Sequence, residues 1–245
     1  LALDTPDGKL RPEQIDREVW GWGDEHRAQP PVVSITQSTE LGTNYTPEEV
    51  RAISDTAHAQ GMHLHLDGSR IANAAASLGV PLRAFTTDAG VDVLSLGGTK
   101  NGALGAEAIV VLRTEASEGL RYLRKLNMQL GSKQRFASAQ LIALFEGELW
   151  RDSASHANAM ATRLRAALVD AAATGRLSFT QATESNAVFA RLPFAAAEAL
   201  RARFGFYDWA GPFTDGTVEV RWMCSWDTTT DDVDAFAEAI TTALA

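Results

Sequence analysis

Apolar and polar positions divide the chain into two stretches of different character. In the first, short β-branched runs alternate with amphipathic segments. Val32-Val33-Ser34-Ile35-Thr36 follows two prolines and predicts a buried strand. Thr46-Pro47-Glu48-Glu49 opens a helix, with Thr46 as N-cap, Pro47 at the first helical position and Glu49 completing a capping box. Val50, Ile53 and Ala57 recur at helical spacing, and Gly61 ends the segment. His63-Leu64-His65-Leu66-Asp67 predicts a second strand, stopping at Asp67-Gly68. A short helix is expected over 71–78, a third strand over 91–96 ending at Gly97-Gly98, and a fourth over 106–112. The return after Lys100 is short, so the fourth strand is expected to run antiparallel to the third. Near-continuous apolar strands joined by helices imply an α/β sheet covered on both faces.

The pattern then changes. Residues 117–149 read as mostly helical with a break near Gly131, and a long helix is expected over 155–172. Strands follow at 177–180, 187–192 and 218–223, and helices at 194–204 and 231–244. Asp227-Thr228-Thr229-Thr230 supplies N-capping chemistry for the last helix. A boundary is expected within 145–157, giving a larger domain over 1–150 and a smaller α+β domain over 151–245. Leu1-Ala2-Leu3-Asp4 reads as a strand end or loop entry rather than a signal peptide, and further sequence upstream is expected.

Composition narrows the class. At 245 residues with 45% hydrophobic content, the chain can bury a sizeable core. It carries 22 basic against 31 acidic residues, a net charge of −9, so nucleic acid and anionic membranes would repel it. No apolar run is long enough to cross a bilayer. A single cysteine, Cys224, excludes an internal disulfide framework and fits a reducing, cytoplasmic setting. No His/Cys/carboxylate cluster has metal-ligand spacing. The Gly-x-Gly-x-x-Gly of a dinucleotide-binding domain is missing, as is the first glycine of a phosphate-binding P-loop before Lys100.

Three features carry chemistry. Asp67 ends a buried-looking strand, where ligands of open α/β sheets gather. A carboxylate losing water there needs a cation or several donors. Arg70, three residues on, could be a structural partner, or a ligand cation could serve. Lys100 follows Gly97-Gly98-Thr99 at the mouth of the sheet, where a lysine can act as an imine-forming nucleophile. A solvated loop lysine is the plain alternative. Arg221 lies in the strand Glu219-Val220-Arg221-Trp222-Met223, facing away from Val220 and Trp222. Its guanidinium could grip a carboxylate, or pair with Glu219 on an edge strand.

Taken together, His65-Leu66-Asp67-Gly68-Ser69-Arg70, Ser95 to Gly102 and Val220 to Cys224 resemble the low-specificity L-threonine aldolases. Those are fold-type I pyridoxal-phosphate (PLP) enzymes of the β-eliminating lyase group, and the likeness runs over nearly the whole chain. It implies a partial, mostly parallel PLP-binding large domain with a smaller C-terminal α+β domain. It also implies retro-aldol cleavage of L-threonine or L-allo-threonine to glycine and acetaldehyde. Alternatives are another PLP-dependent β-hydroxy amino acid lyase, a racemase, or a non-catalytic remnant. By the same resemblance Lys100 would hold PLP covalently and Asp67 would pair with its ring nitrogen. Thr99 would add a hydroxyl contact, and Arg70 and Arg221 would bind the substrate carboxylate. The flank containing Lys125, Gln129 and Lys133 also resembles an active-site segment, although a solvated helix face explains the lysines equally well. The family's phosphate loop and ring-stacking histidine have no counterpart in these residues. The resemblance further implies a homodimer or homotetramer.

Overall fold

The computed structural model describes residues 1–245, the side chain of Ser117 excepted. It divides into two compact units. The first comprises residues 1–40 and 44–151, and the second residues 41–43 and 152–245.

In the first unit, helix α1 (Pro12–Glu18) precedes strand β1 (Val32–Thr36). Helix α2 (Pro47–Ala59) begins as its sequence requires. Thr46 accepts from the Glu49 amide at 3.2 Å, and the Glu49 carboxylate accepts from the Thr46 amide at 2.8 Å. Val50, Ile53 and Ala57 form its buried stripe. Strand β2 (His63–Gly68), helix α3 (Ile71–Leu78), strand β3 (Val93–Gly97) and strand β4 (Glu107–Val111) follow. The sheet order is β1-β2-β3-β4. β1, β2 and β3 run parallel, and β4 runs back against β3 as its short return dictates.

Coverage of this sheet differs from expectation. Leu64 and Leu66 are fully buried on one face of β2, and His63, His65 and Asp67 alternate onto the other. That second face carries Ser34 and Ser95, and it leaves Val32 at 45% and Ile109 at 62% exposure. The strands therefore read as half-buried rather than apolar throughout. The helical stretch also breaks up. Helix α4 (Leu120–Leu126) and helix α5 (Arg135–Phe145) are separated by an irregular segment in which Met128 takes a φ of +56°.

Helix α6 (Leu149–Ala167) starts earlier than its pattern suggests, and a short helix α7 (Val169–Ala173) completes the expected span. The second unit then builds an antiparallel sheet. It contains strand β5 (Ser178–Phe179), strand β6 (Ala187–Pro193), helix α8 (Phe194–Arg201), strand β7 (Tyr207–Ala210), strand β8 (Thr217–Met223) and helix α9 (Thr230–Ala243). Sheet order is β5-β6-β8-β7. Val188, Val220 and Trp222 from the sheet pack with Leu164, Leu200 and Ile240 from α6, α8 and α9 in one core. β7 is absent from the sequence reading because its burial is low and its pattern weak: Tyr207, Asp208 and Trp209 are all exposed. Its presence places β8 inside the sheet, so Arg221 is not on an edge.

Candidate active site

The site begins with the register of two parallel strands. Asp67 on β2 lies opposite Ser95 on β3, and Gly68 opposite Leu96, so both chains end together at the carboxyl edge of the sheet. The turns beyond them touch backbone to backbone. A Cβ on Gly97 would lie 2.8 Å from Ser69 Cα and 2.9 Å from Ser69 O. A Cβ on Gly98 would lie 2.6 Å from the Ala106 carbonyl oxygen. Glycine is required here for close approach, not for an unusual φ.

Asp67 is half-buried. Its Oδ1 accepts from the Ser69 amide at 2.9 Å and from Ser69 Oγ at 2.7 Å. Burial pushes this carboxyl up, but the two Ser69 hydrogen bonds and the positive charges of Lys100 and His65 outweigh it. The carboxyl is held below the usual aspartate range and is ionised at neutral pH. Lys100 and His65 thus lend positive charge to this carboxylate, and its hydrogen-bond donor is Ser69. Both hydrogen bonds fall on Oδ1, so Oδ2 keeps its capacity for a donor from outside the chain.

Lys100 sits exposed on a single 3₁₀ turn, Thr99–Asn101. Its neighbours are tied down. The Asn101 side chain is buried and donates to the Trp150 carbonyl at 2.8 Å. The Gly98 amide donates to Ala106 O at 3.0 Å, and the Thr99 amide to Glu107 Oε1 at 3.2 Å. A flexible amine therefore rises from a fixed base. Arg70 occupies the N-cap position of α3 at the same edge of the sheet.

The structure brings Asp67 and Lys100 within electrostatic reach of each other, with Thr99 and Arg70 on the turns that carry them. Arg221 belongs to the second unit, where its guanidinium carbon lies 4.6 Å from the Trp209 ring centroid. Lys125 lies in the last turn of α4 and Lys133 precedes α5, both exposed, and the Gln129 amide donates to Arg124 O at 2.9 Å. Cys224 offers no nucleophile, because burial pushes its thiol up to about 11. Sequence reasoning missed Ser69 and Glu107. An Asp-x-Ser turn could have flagged the first. Glu107 reaches the lysine turn only through the antiparallel register of β4, which leaves no local signal.

Comparison with known proteins places the chain in a family. The β-eliminating lyase family model matches residues 1–192. The low-specificity L-threonine aldolase of Pseudomonas aeruginosa is 42% identical over 241 residues, covering 98% of this chain and 67% of that protein. The enzyme of the same name from Pseudomonas sp. NCIMB 10558 is 40% identical over 229 residues, covering 93% and 64%. The chain thus spans about two thirds of the length of these relatives. Among solved structures, threonine aldolase from Leishmania major superposes with a TM-score of 0.89 at 30% identity, covering all of this chain and 70% of that one. The Oryza sativa TDC structure with PLP shares the fold at a TM-score of 0.70 and 18% identity, covering 96% of this chain and 52% of that one. The fold is that of fold-type I enzymes, and the chain belongs to the β-eliminating lyase family.

Proposed function

We propose that this chain carries the catalytic lysine and aspartate of a PLP-dependent aldehyde-lyase. It cleaves L-threonine and L-allo-threonine to glycine and acetaldehyde. The observation that supports this most is the placement of an ionised Asp67, both of its hydrogen bonds on Oδ1, at the end of β2 and of Lys100 on the turn that ends the next parallel strand. Those groups fit PLP: a carboxylate able to accept from a protonated pyridine nitrogen, and a primary amine able to hold the aldehyde carbon. When bound, PLP supplies the electron sink that takes up the pair from the Cα–Cβ bond.

The chain's own residues do the rest. Ser69 fixes Asp67 Oδ1 and so sets the direction of the carboxylate. With its own proton affinity lowered, Asp67 would accept from a protonated ring nitrogen without taking the proton. Lys100 would hold the cofactor from a turn anchored by Asn101 and Glu107. Thr99, whose amide is engaged by Glu107, offers its hydroxyl to the cofactor. Arg70, on the turn after Asp67, is assigned to the substrate carboxylate, where a fork of parallel hydrogen bonds would orient the breaking bond.

The deciding experiment is an assay for acetaldehyde and glycine from L-threonine and L-allo-threonine, with D-threonine as control. Aldehyde from the L substrates supports the reading. Turnover of β-hydroxy amino acids without aldehyde moves the chain to elimination or racemisation. Absence of any turnover in a PLP-loaded sample overturns it.

We further infer a homo-oligomer of cytoplasmic type. Tyr122, Leu126, Met128 and Phe136 around α4 and α5 are exposed apolar side chains on one segment, of the kind a second subunit covers. Light scattering on the purified protein tests this. Among the described residues no helix is long and apolar enough to cross a membrane.

A further inference from the structure

His65 lies two residues before Asp67 on the same face of β2. Both of its ring nitrogens are engaged. Nδ1 lies 2.8 Å from Ser34 Oγ on β1, and Nε2 lies 2.9 Å from Ser95 Oγ on β3. The three side chains make a hydrogen-bonded bar across three parallel strands. A serine hydroxyl both donates and accepts, so either imidazole tautomer satisfies the bar, and a protonated ring satisfies it too.

The position of Ser95 gives the bar its meaning. Ser95 is the in-register neighbour of Asp67 on the adjacent strand. Neighbouring strands lie about 4.8 Å apart, so a free Ser95 hydroxyl can swing to the Asp67 carboxylate. In the structure it is bound to His65 instead, and the hydrogen bonds to Asp67 come from Ser69 alone.

We propose that His65 is a positioning residue, which holds the Ser95 hydroxyl away from Asp67 and so keeps Oδ2 open for the cofactor's ring nitrogen. This rests on the PLP reading above. The groups facing His65 are His63 and Asp67 on its own strand and Glu115 and Glu118 from the segment after β4, which share with both histidines a hollow of about 370 Å³. None of them is hydrogen-bonded to Ser95 among the described residues, so His65 is the group that restrains it.

The test uses the full-length protein, the variants His65→Phe, Ser95→Ala and the double variant, and the dissociation constant for PLP. His65→Phe frees Ser95 to compete for Oδ2 and weakens PLP binding about tenfold. Ser95→Ala alone stays within about twofold of wild type, and the double variant returns to that level. A crystal structure of cofactor-free His65→Phe shows Ser95 Oγ on Asp67. Rescue by removing Ser95 has no counterpart if His65 merely supports the sheet. Loss of affinity without rescue, or a tenfold loss in Ser95→Ala itself, overturns the inference. If His65→Phe does not fold, Ser34→Ala takes its place by loosening the bar at its other end. Unchanged Ser95 geometry and unchanged affinity in that variant overturn the inference as well. Failure of the wild-type protein to bind PLP would instead overturn the functional reading, which separates the two outcomes.

Discussion

The two ends of strands β2 and β3 each hold an aspartate, and the two are treated in opposite ways. At the amino end Asp92 is fully buried. Its Oδ2 accepts from His58 Nε2 at 2.8 Å and from the Leu64 amide at 2.7 Å. Its Oδ1 faces Arg113 Nε at 3.3 Å, without hydrogen-bond geometry, and His63 Nδ1 at 3.7 Å. Burial pushes this carboxyl up, and the His58 and Leu64 hydrogen bonds with the His58 and Arg113 charges bring it below the usual range. At the carboxyl end Asp67 has one serine as hydrogen-bond donor and an amine on a movable side chain. A carboxylate ringed by the protein's own partners ties strands together. One left with spare acceptor capacity is poised to receive something else.

Breaking either end should give opposite phenotypes. Lys100→Ala should lower kcat for threonine cleavage about a thousandfold or more, since the covalent attachment point is gone. Unfolding free energy should move by less than about 0.5 kcal/mol, because the side chain is exposed. Asp92→Asn should do the reverse: about 3 kcal/mol less stable in urea unfolding, with turnover per folded molecule little changed. Because the Asp92 carboxyl is depressed in the folded state, its contribution is present above the ordinary aspartate range. It fades as pH falls below about 4, so the variant should show a flatter acid limb in stability against pH.

Gly97→Ala probes the joint between the two functional turns. A methyl group 2.8 Å from Ser69 Cα must push the turns apart, costing about 2 kcal/mol in thermal or urea unfolding. Cleavage activity should fall with it. Ser69→Ala is the smallest perturbation. It removes the hydroxyl donor and leaves the amide, so the Asp67 carboxyl should titrate higher by carbon-13 NMR, with a stability loss of about 1 kcal/mol. A downward shift would mean that Ser69 is not what holds Asp67 ionised.

Local rules made much of this legible in the sequence. The capping box at Thr46 and Glu49, the alternation through His63 to Asp67 and the reversal after Lys100 are each written within a few residues, and the structure has them all. Asp67 and Lys100 could be singled out because a carboxylate and a lysine at strand ends are unusual places for charge. What stayed hidden depends on pairing between distant segments. Glu107 meets the Thr99 amide only when β4 folds back, and His65 meets Ser34 and Ser95 only when three strands align. The exposed face of the first sheet leaves no local signal, because apolar residues flank the histidines and only register shows which side each takes.

The contact between Gly97 and Ser69 has a mechanical corollary. With no side chain between the two turns, the span from carboxylate to amine attachment point is set by peptide backbone. Thermal motion must then carry both turns along as one piece. Only the four-carbon arm of Lys100 is free to swing, so the torsions of one side chain separate the resting enzyme from one engaging its next molecule.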